Sequence, residues 1–459
     1  MSVSRRHFMA TGTAALAGAV ASSGATLAAQ QRTGRILLRG GCVLSLDSTV
    51  GDFNVADVLI DGSRIAAVGP RLSAAGAQTI DAANCIVMPG FVDTHRHMWQ
   101  GALRNILPNG LLGDYTRDIT GTARALFRPE DARIGDLISA LGAINAGVTT
   151  CLDWSHIGNS PAHADAAIEG LRQSGIRGVY AYLGSGAELR RLRKQYFSSR
   201  DQLLTLAMAT GESPSDWAAA REAGAAITLH AGGSLSGVAR VLGPDVTYIH
   251  CTTFTDEAWK RVRDSGGHVS IAAPIEMEMG HGIPPIQAAL DHGIRPSLSV
   301  DVETQMPGDF FTQMRSVFTL QRMQALARRR AGDARAPGLL NVRDVVEFAT
   351  IAGARANRLD DRIGTLTPGK QADVILLRAD AINVLPLNNA FGAVVLGMDT
   401  SNVDTVIIGG TIRKQRGQLI GVDMARINRE AAASRDYIVS RAGWSKTRIG
   451  IGPQPEVRD

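Results

Sequence analysis

The chain has 459 residues, 45% of them hydrophobic, 20% charged and only 5% aromatic, with 50 glycines. This excludes a mainly disordered or collagen-like protein and leaves material for a large core. The net charge of +5 includes basic runs at Arg190-Arg191-Leu192-Arg193-Lys194 and Arg328-Arg329-Arg330; both lie on helical patterns without interleaved aromatics, so they read as solvated helix faces and no nucleic-acid partner is expected.

At the N-terminus, Ser4-Arg5-Arg6-His7-Phe8-Met9 leads into a charge-free, Ala/Gly/Ser-rich stretch ending near Ala28 and Ala29. A basic start, a weakly apolar middle and small residues at the end predict a twin-arginine (Tat) export signal over 1–29, although Met9-Ala10 replaces the usual Leu-Lys. Its composition is poor for a lipid-facing span. The expectation is a folded protein delivered by the Tat machinery to the periplasm or beyond. Cys42, Cys85, Cys151 and Cys251 are widely spaced with no CxxC, so they read as small buried hydrophobes; a Cys42–Cys85 bridge stays open.

From Gly34 to Met88 short β-type runs with turns predominate, including a hairpin at Val58-Leu59-Ile60, Asp61-Gly62 and Ile65-Ala66-Ala67-Val68. From Ile86 to Leu359, short apolar runs alternate with helical patterns of 10–15 residues, which predicts repeated β-α units around a parallel sheet. Candidate strands end near His95, Asp153, Tyr182, Ala207, His230, His250, Ala273 and Asp301. Eight units closing on themselves give a (β/α)8 TIM barrel, with its active site at the C-terminal strand ends. Strand patterns return after Thr365, and 423–444 reads as a helix. The predicted organisation is therefore a small β-sandwich from both chain ends (30–87 plus 365–422), a barrel (88–364) and a C-terminal helix and tail (423–459).

The chemistry falls at the predicted strand ends. His95 and His97 are two apart, so they share a strand face; His230, His250 and Asp301 end later strands. Several imidazoles and one carboxylate suit zinc or another borderline divalent ion with a position left for water. Trp99, Trp154, His156 and Tyr182 are candidates for the wall of a pocket taking a flat substrate. Glu276 and Glu278 follow the seventh strand on a predicted loop. No phosphate or dinucleotide loop is present, so nucleotide cofactors are not expected.

Met88-Pro89-Gly90-Phe91-Val92-Asp93-Thr94-His95-Arg96-His97 resembles the first-strand motif of the amidohydrolase superfamily. Ala146-Gly147-Val148-Thr149-Thr150, His250-Cys251-Thr252-Thr253, Leu298-Ser299-Val300-Asp301 and Ile363-Gly364-Thr365-Leu366-Thr367-Pro368-Gly369-Lys370-Gln371-Ala372-Asp373 extend the likeness across nearly the whole remaining chain. No lysine stands at the fourth strand end, so the chain is more similar to the one-metal branch of cytosine and guanine deaminases and triazine chlorohydrolases. That resemblance implies His95, His97, His230 and Asp301 as ligands of one divalent ion, zinc above others, with His250 on the metal or its water.

Many deaminases of this branch carry a glutamate three residues after the fifth-strand histidine, where this chain has Gly233. Deaminating an aromatic amidine requires protonation of a ring nitrogen, whereas hydrolysis of an acyl-type C–N bond asks less of a proton shuttle. The chain is in this respect similar to branch members acting on N-aryl ureas and thiocarbamates. The expected function is hydrolysis of a small, neutral, aromatic amide, urea or carbamate by metal-activated water. Asp301, His250 and Glu276 are the candidate proton carriers. A heterocycle deaminase is the alternative, and a catalytically inactive exported binding protein the second. Substrate identity, native metal and homo-oligomerisation stay open.

Overall fold

The computed structural model describes residues 34–454; the predicted export signal lies outside them. The chain enters through β1 (Ile36–Val43), β2 (Phe53–Asp61), β3 (Arg64–Gly69), β4 (Gln78–Asp81) and β5 (Cys85–Pro89). β2 and β3 form the predicted hairpin, closed by the Asp61↔Arg64 pair.

Eight parallel strands follow: β6 (Phe91–Arg96), β7 (Val148–Ser155), β8 (Arg177–Leu183), β9 (Leu204–Ala209), β10 (Ala226–Gly233), β11 (Val246–Phe254), β12 (His268–Ile271) and β13 (Ser297–Leu298). They lie side by side in chain order. The ring closes through a parallel bridge between Arg96 and Asp301, where His97 N–H donates to Asp301 O at 2.8 Å and Asp301 N–H to His95 O at 2.9 Å. The protein is thus a TIM barrel, and its closing seam is made by backbone of the residues that carry the candidate chemistry.

Strand alternation sorts the wall into two faces. Val92, Leu152, Trp154, Val179, Ala181, Ala207, Ala209 and Ile249 form one buried cluster inside the ring. Their neighbours, among them Phe91, Cys151, Tyr180, Tyr182 and Met208, belong to the larger core shared with helix residues such as Ile144, Ile168 and Leu171. The helix α1 (Pro129–Asn145) starts with proline at its first turn, and the Asp131 carboxylate accepts the Arg128 N–H at 2.9 Å.

After the barrel the chain returns through β14 (Val374–Arg378), β15 (Val403–Ile408), β16 (Thr411–Gln415) and β17 (Gln418–Leu419). β14 pairs antiparallel with β5 from Val374↔Pro89 to Arg378↔Cys85, joining both ends of the chain. Hydrogen bonding links these strands into one mixed nine-stranded sheet, the second domain, because β5 pairs with β1 on one side and β14 on the other. The step from this sheet into the barrel passes Gly90, where a Cβ would lie 2.1 Å from the Thr149 side chain; only glycine fits. The buried Arg177 and Asp373 pair bidentately at 2.6 and 2.9 Å, fastening β8 to the sheet. The 423–444 pattern forms a helix, Met424–Ala442, capped by the Asp423 side chain. All four cysteines are free, Cys42 and Cys85 included. No helix among the described residues is long and apolar enough to cross a membrane.

Candidate metal centre

His95, His97, His230 and Asp301 each bring one donor atom to a group lying within 4.8 Å. His95 Nε2 is 2.9 Å from Asp301 Oδ1 and 3.2 Å from His230 Nε2, and His97 Nε2 is 3.3 Å from the same carboxylate oxygen. His95 and Asp301 are fully or nearly buried, while His230 is open at the barrel mouth but crowded on its other sides. Asp301 and His250 both adopt left-handed backbone, at φ 68° and 66°. Such strain in non-glycine residues persists where the surroundings over-determine it and concentrates at functional sites.

The donor set fits a divalent cation. His97 Nδ1 lies 2.8 Å from Trp154 O, and a carbonyl only accepts, so the proton is on Nδ1 and the bare Nε2 faces the Asp301 carboxylate. Burial, before other causes, pushes His95 down to about 3, keeping it a neutral imidazole. Burial works against ionising Asp301, but its contacts with His95 and His97 outweigh it and hold the carboxyl well below the usual range. The bare His97 Nε2 aimed at an ionised carboxylate is repelled by it unless a cation lies between them, and neutral imidazoles with an ionised carboxylate are the forms that bind one. The ring-to-carbonyl bond of His97 is the outer contact that orients a metal-bound histidine. One divalent ion of the zinc type is the cofactor these residues suit.

His250 stands beside this group, with Nε2 3.7 Å from Asp301 Oδ2. Its Nδ1 is 3.1 Å from Glu276 Oε1, and the same oxygen accepts Ala272 N–H at 2.9 Å. Burial lowers the His250 pKa, but Glu276 and Asp301 outweigh it and the net direction is up. The predicted loop after the seventh strand is instead a short helix, α2 (Ala273–Glu278), since β12 ends at Ile271. Glu276 is fully buried on it, and burial raises its pKa. A solvated loop carboxylate is thereby ruled out. Glu276 meets His250 and backbone rather than an open cleft, and the neighbouring Met277 is exposed.

The predicted pocket wall divides. Trp154 lies inside the ring, its indole 4.5 Å from the His230 ring and 5.6 Å from that of His97. His156 stacks on His97 at 4.2 Å. Trp99 is fully buried behind it, donating from Nε1 to His156 Nδ1 at 3.4 Å. Tyr182 is not brought to the metal group: its parity on β8 places it with Tyr180 on the helix-facing side. Gly233 has open space where a Cβ would stand, but its φ of 63° is left-handed, so any other residue there would be strained.

Sequence reading missed His281. It follows α2, its ring 4.6 Å from that of His250; only its place in the Gly280-His281-Gly282 run could have marked it. Arg96, between the two strand-one histidines, points away from them and binds Asp93 at 2.8 Å, Gly308 O at 3.0 Å and Glu303 at 3.3 Å, holding the segment after β13 to β6. A cleft of about 910 Å³ elsewhere, on the nine-stranded sheet, is lined by Asp81, Arg378, Asp380 and Asp404; Arg378 and Asp380 already satisfy each other, and none of the metal donors borders it.

Comparison with known proteins bears on these features. A model of the amidohydrolase family matches residues 86–413. The chain is 25% identical over 450 residues to a 5'-deoxyadenosine deaminase of Methanosarcina mazei, covering 88% of this chain and 99% of the relative. It is 26% identical over 444 residues to a 5-methylthioadenosine/S-adenosylhomocysteine deaminase of Pelotomaculum thermopropionicum, at 88% and 99% coverage. Among solved structures, an adenosine deaminase from Xanthomonas campestris with bound zinc superposes with a TM-score of 0.76 at 22% identity, covering 88% of this chain and 98% of that one. A mutant of the atrazine chlorohydrolase from Arthrobacter aurescens, complexed with zinc and atraton, gives 0.75 at 22% identity, with 87% and 99% coverage.

Proposed function

The chain belongs to the amidohydrolase family, and from that premise we propose that it hydrolyses a C–N bond of a small neutral substrate of the amide, urea or carbamate class, using one divalent ion held by His95, His97, His230 and Asp301. The observation that carries this reading is the convergence of these four donors beside His250 at the mouth of the barrel. When bound there, such an ion polarises a carbonyl and lowers the pKa of water.

The chain's own residues supply the proton handling. His250 offers Nε2 toward the site, because Glu276 Oε1 takes up the hydrogen on Nδ1 and fixes the ring. That Nε2 accepts the proton of the attacking water as its oxygen adds to the carbonyl carbon. The C–N bond then breaks with its electrons on nitrogen, and the proton passes to the departing amine. Trp154 and His156 give the substrate's flat group an aromatic face.

Heterocycle deamination is the second reading, favoured by the nucleoside-deaminase relatives. Gly233 weighs toward acyl-type substrates, since nothing with a proton to give stands three residues after His230. One panel separates the two: release of aniline or alkylamine from amides, ureas and carbamates against release of ammonia from aminoheterocycles. No turnover on either half would favour a binding protein and overturn the enzymatic reading. Export is a further part of the proposal, supported by Arg5-Arg6 and the charge-free stretch after them.

A further inference from the structure

His281 has no assigned role, and its surroundings are built. The ring stands edge-to-face against His250 at 4.6 Å, 77° between planes. Its backbone N–H donates to Glu276 O at 3.0 Å, and it is flanked by two glycines of positive φ, Gly280 at 78° and Gly282 at 128°. Only glycine takes up such a sharp reversal cheaply. From the other side, Leu112 N–H donates to Met279 O at 3.0 Å. The segment is thus held at both ends, and what it holds is an imidazole whose Nε2 is buried with no hydrogen-bond partner.

A buried polar atom without a partner is costly, and in a native protein calls for an explanation. Burial first, then the neighbouring His250, lowers the His281 pKa, so the ring is neutral. Buried orphan N–H groups are rarer than under-satisfied acceptors, which makes Nε2 the lone-pair nitrogen. What it lacks is a donor. Glu278, the nearest acid in sequence, makes no hydrogen bond to it, Glu276 already binds His250 and Ala272 N–H, and Gly233 offers no side chain.

We propose that His281 Nε2 accepts the N–H of the substrate nitrogen that departs, so that the enzyme selects C–N substrates bearing hydrogen on that nitrogen over their N-methyl counterparts. The inference rests on the C–N hydrolase reading and adds the residue and the substrate feature it recognises.

The test compares acetanilide with N-methylacetanilide, and phenylurea with N-methyl-N-phenylurea, by kcat/KM and by calorimetric Kd, in the metal-loaded parent, His281→Phe and His281→Gln. Phe keeps the ring against His250 and removes the nitrogen; Gln returns an acceptor. The parent should favour the N–H member roughly 10-fold or more. His281→Phe should lose that preference through the N–H member alone, with metal content unchanged, and His281→Gln should recover part of it; the Phe variant also controls for the different shapes of the two amides. Equal parent preference, or a parallel loss on both members in His281→Phe, overturns the proposal while leaving C–N hydrolysis standing. Tighter binding of the N–H member without turnover of either upholds His281 and overturns hydrolysis; binding of neither overturns both.

Discussion

Glu276 Oε1 and His250 Nδ1 are 3.1 Å apart, a contact between a helix after the seventh barrel strand and the end of the sixth. It makes Glu276 a positioning residue: the carboxylate fixes which nitrogen of His250 carries hydrogen and leaves Nε2 for the reaction. Replacement by Gln preserves an acceptor for Nδ1–H but loses the charge, whereas Ala loses both. Glu276→Gln should lower kcat roughly 10-fold and Glu276→Ala roughly 10²-fold, with KM and bound metal little changed. Equal losses for the two variants, or loss of metal, would assign Glu276 to packing alone.

The metal donors come from three barrel strands, His95 and His97 from β6 and its end, His230 from β10 and Asp301 from the segment after β13, so a site of this few ligands tolerates no loss. Purified protein is expected to hold close to one divalent ion per chain, with zinc the best fit to three imidazoles and a carboxylate. His95→Ala and His97→Ala should each remove both ion and activity, and a chelator should do the same to the parent reversibly. Elemental analysis is the check; two equivalents in fully active protein would point to a binuclear site.

The barrel and the ligand residues were legible because both are repeats of simple periodicity. Apolar runs alternating with helical patterns announce the β-α units, and His95, His97, His230, His250 and Asp301 fall in the C-terminal halves of such strands or just beyond them. The sheet of both chain ends was legible as strands, but not as one continuous sheet, because the β5–β14 pairing joins segments far apart in sequence. Tyr182 was misplaced for want of one residue of register: on a strand, parity decides between barrel interior and helix layer, and the strand pattern alone leaves parity open. Glu276 was visible as a carboxylate but its burial was not, since the short helix that encloses it starts at a proline within an apolar run. His281 becomes visible only when the turn brings it beside His250.

Export is tested on the sequence feature that predicts it. A twin-arginine signal delivers a folded protein, which suits an enzyme that must acquire its ion before crossing. Arg5→Lys combined with Arg6→Lys should hold active, metal-loaded enzyme in the cytoplasm. Fractionation showing the doubly substituted protein beyond the inner membrane at parent levels would remove the export proposal.

Asp136 on α1 and Asp153 on β7 are both fully buried. They lie beside each other and the Ser155 hydroxyl, and Asp153 Oδ1 accepts Met98 N–H, at 3.1 Å. Burial first, and for Asp136 then the charge of Asp153, raises both pKa values, Asp153 to about 7. The folded protein therefore keeps protons that the unfolded chain releases near pH 4. Between that pH and about 7 the native state binds more protons than the unfolded one, so this pair makes stability fall as pH rises, the reverse of a salt-bridged carboxylate. Asp136→Asn removes one ionisable partner and gives Asp153 an amide donor. Its melting temperature should exceed the parent's by a few degrees at pH 8, on the scale of roughly 2–4 °C per kcal/mol for large domains, and match it near pH 5. A parent whose stability rises monotonically from pH 5 to 8, with Asp136→Asn following in parallel, would show that the pair is ionised and compensated in the folded state.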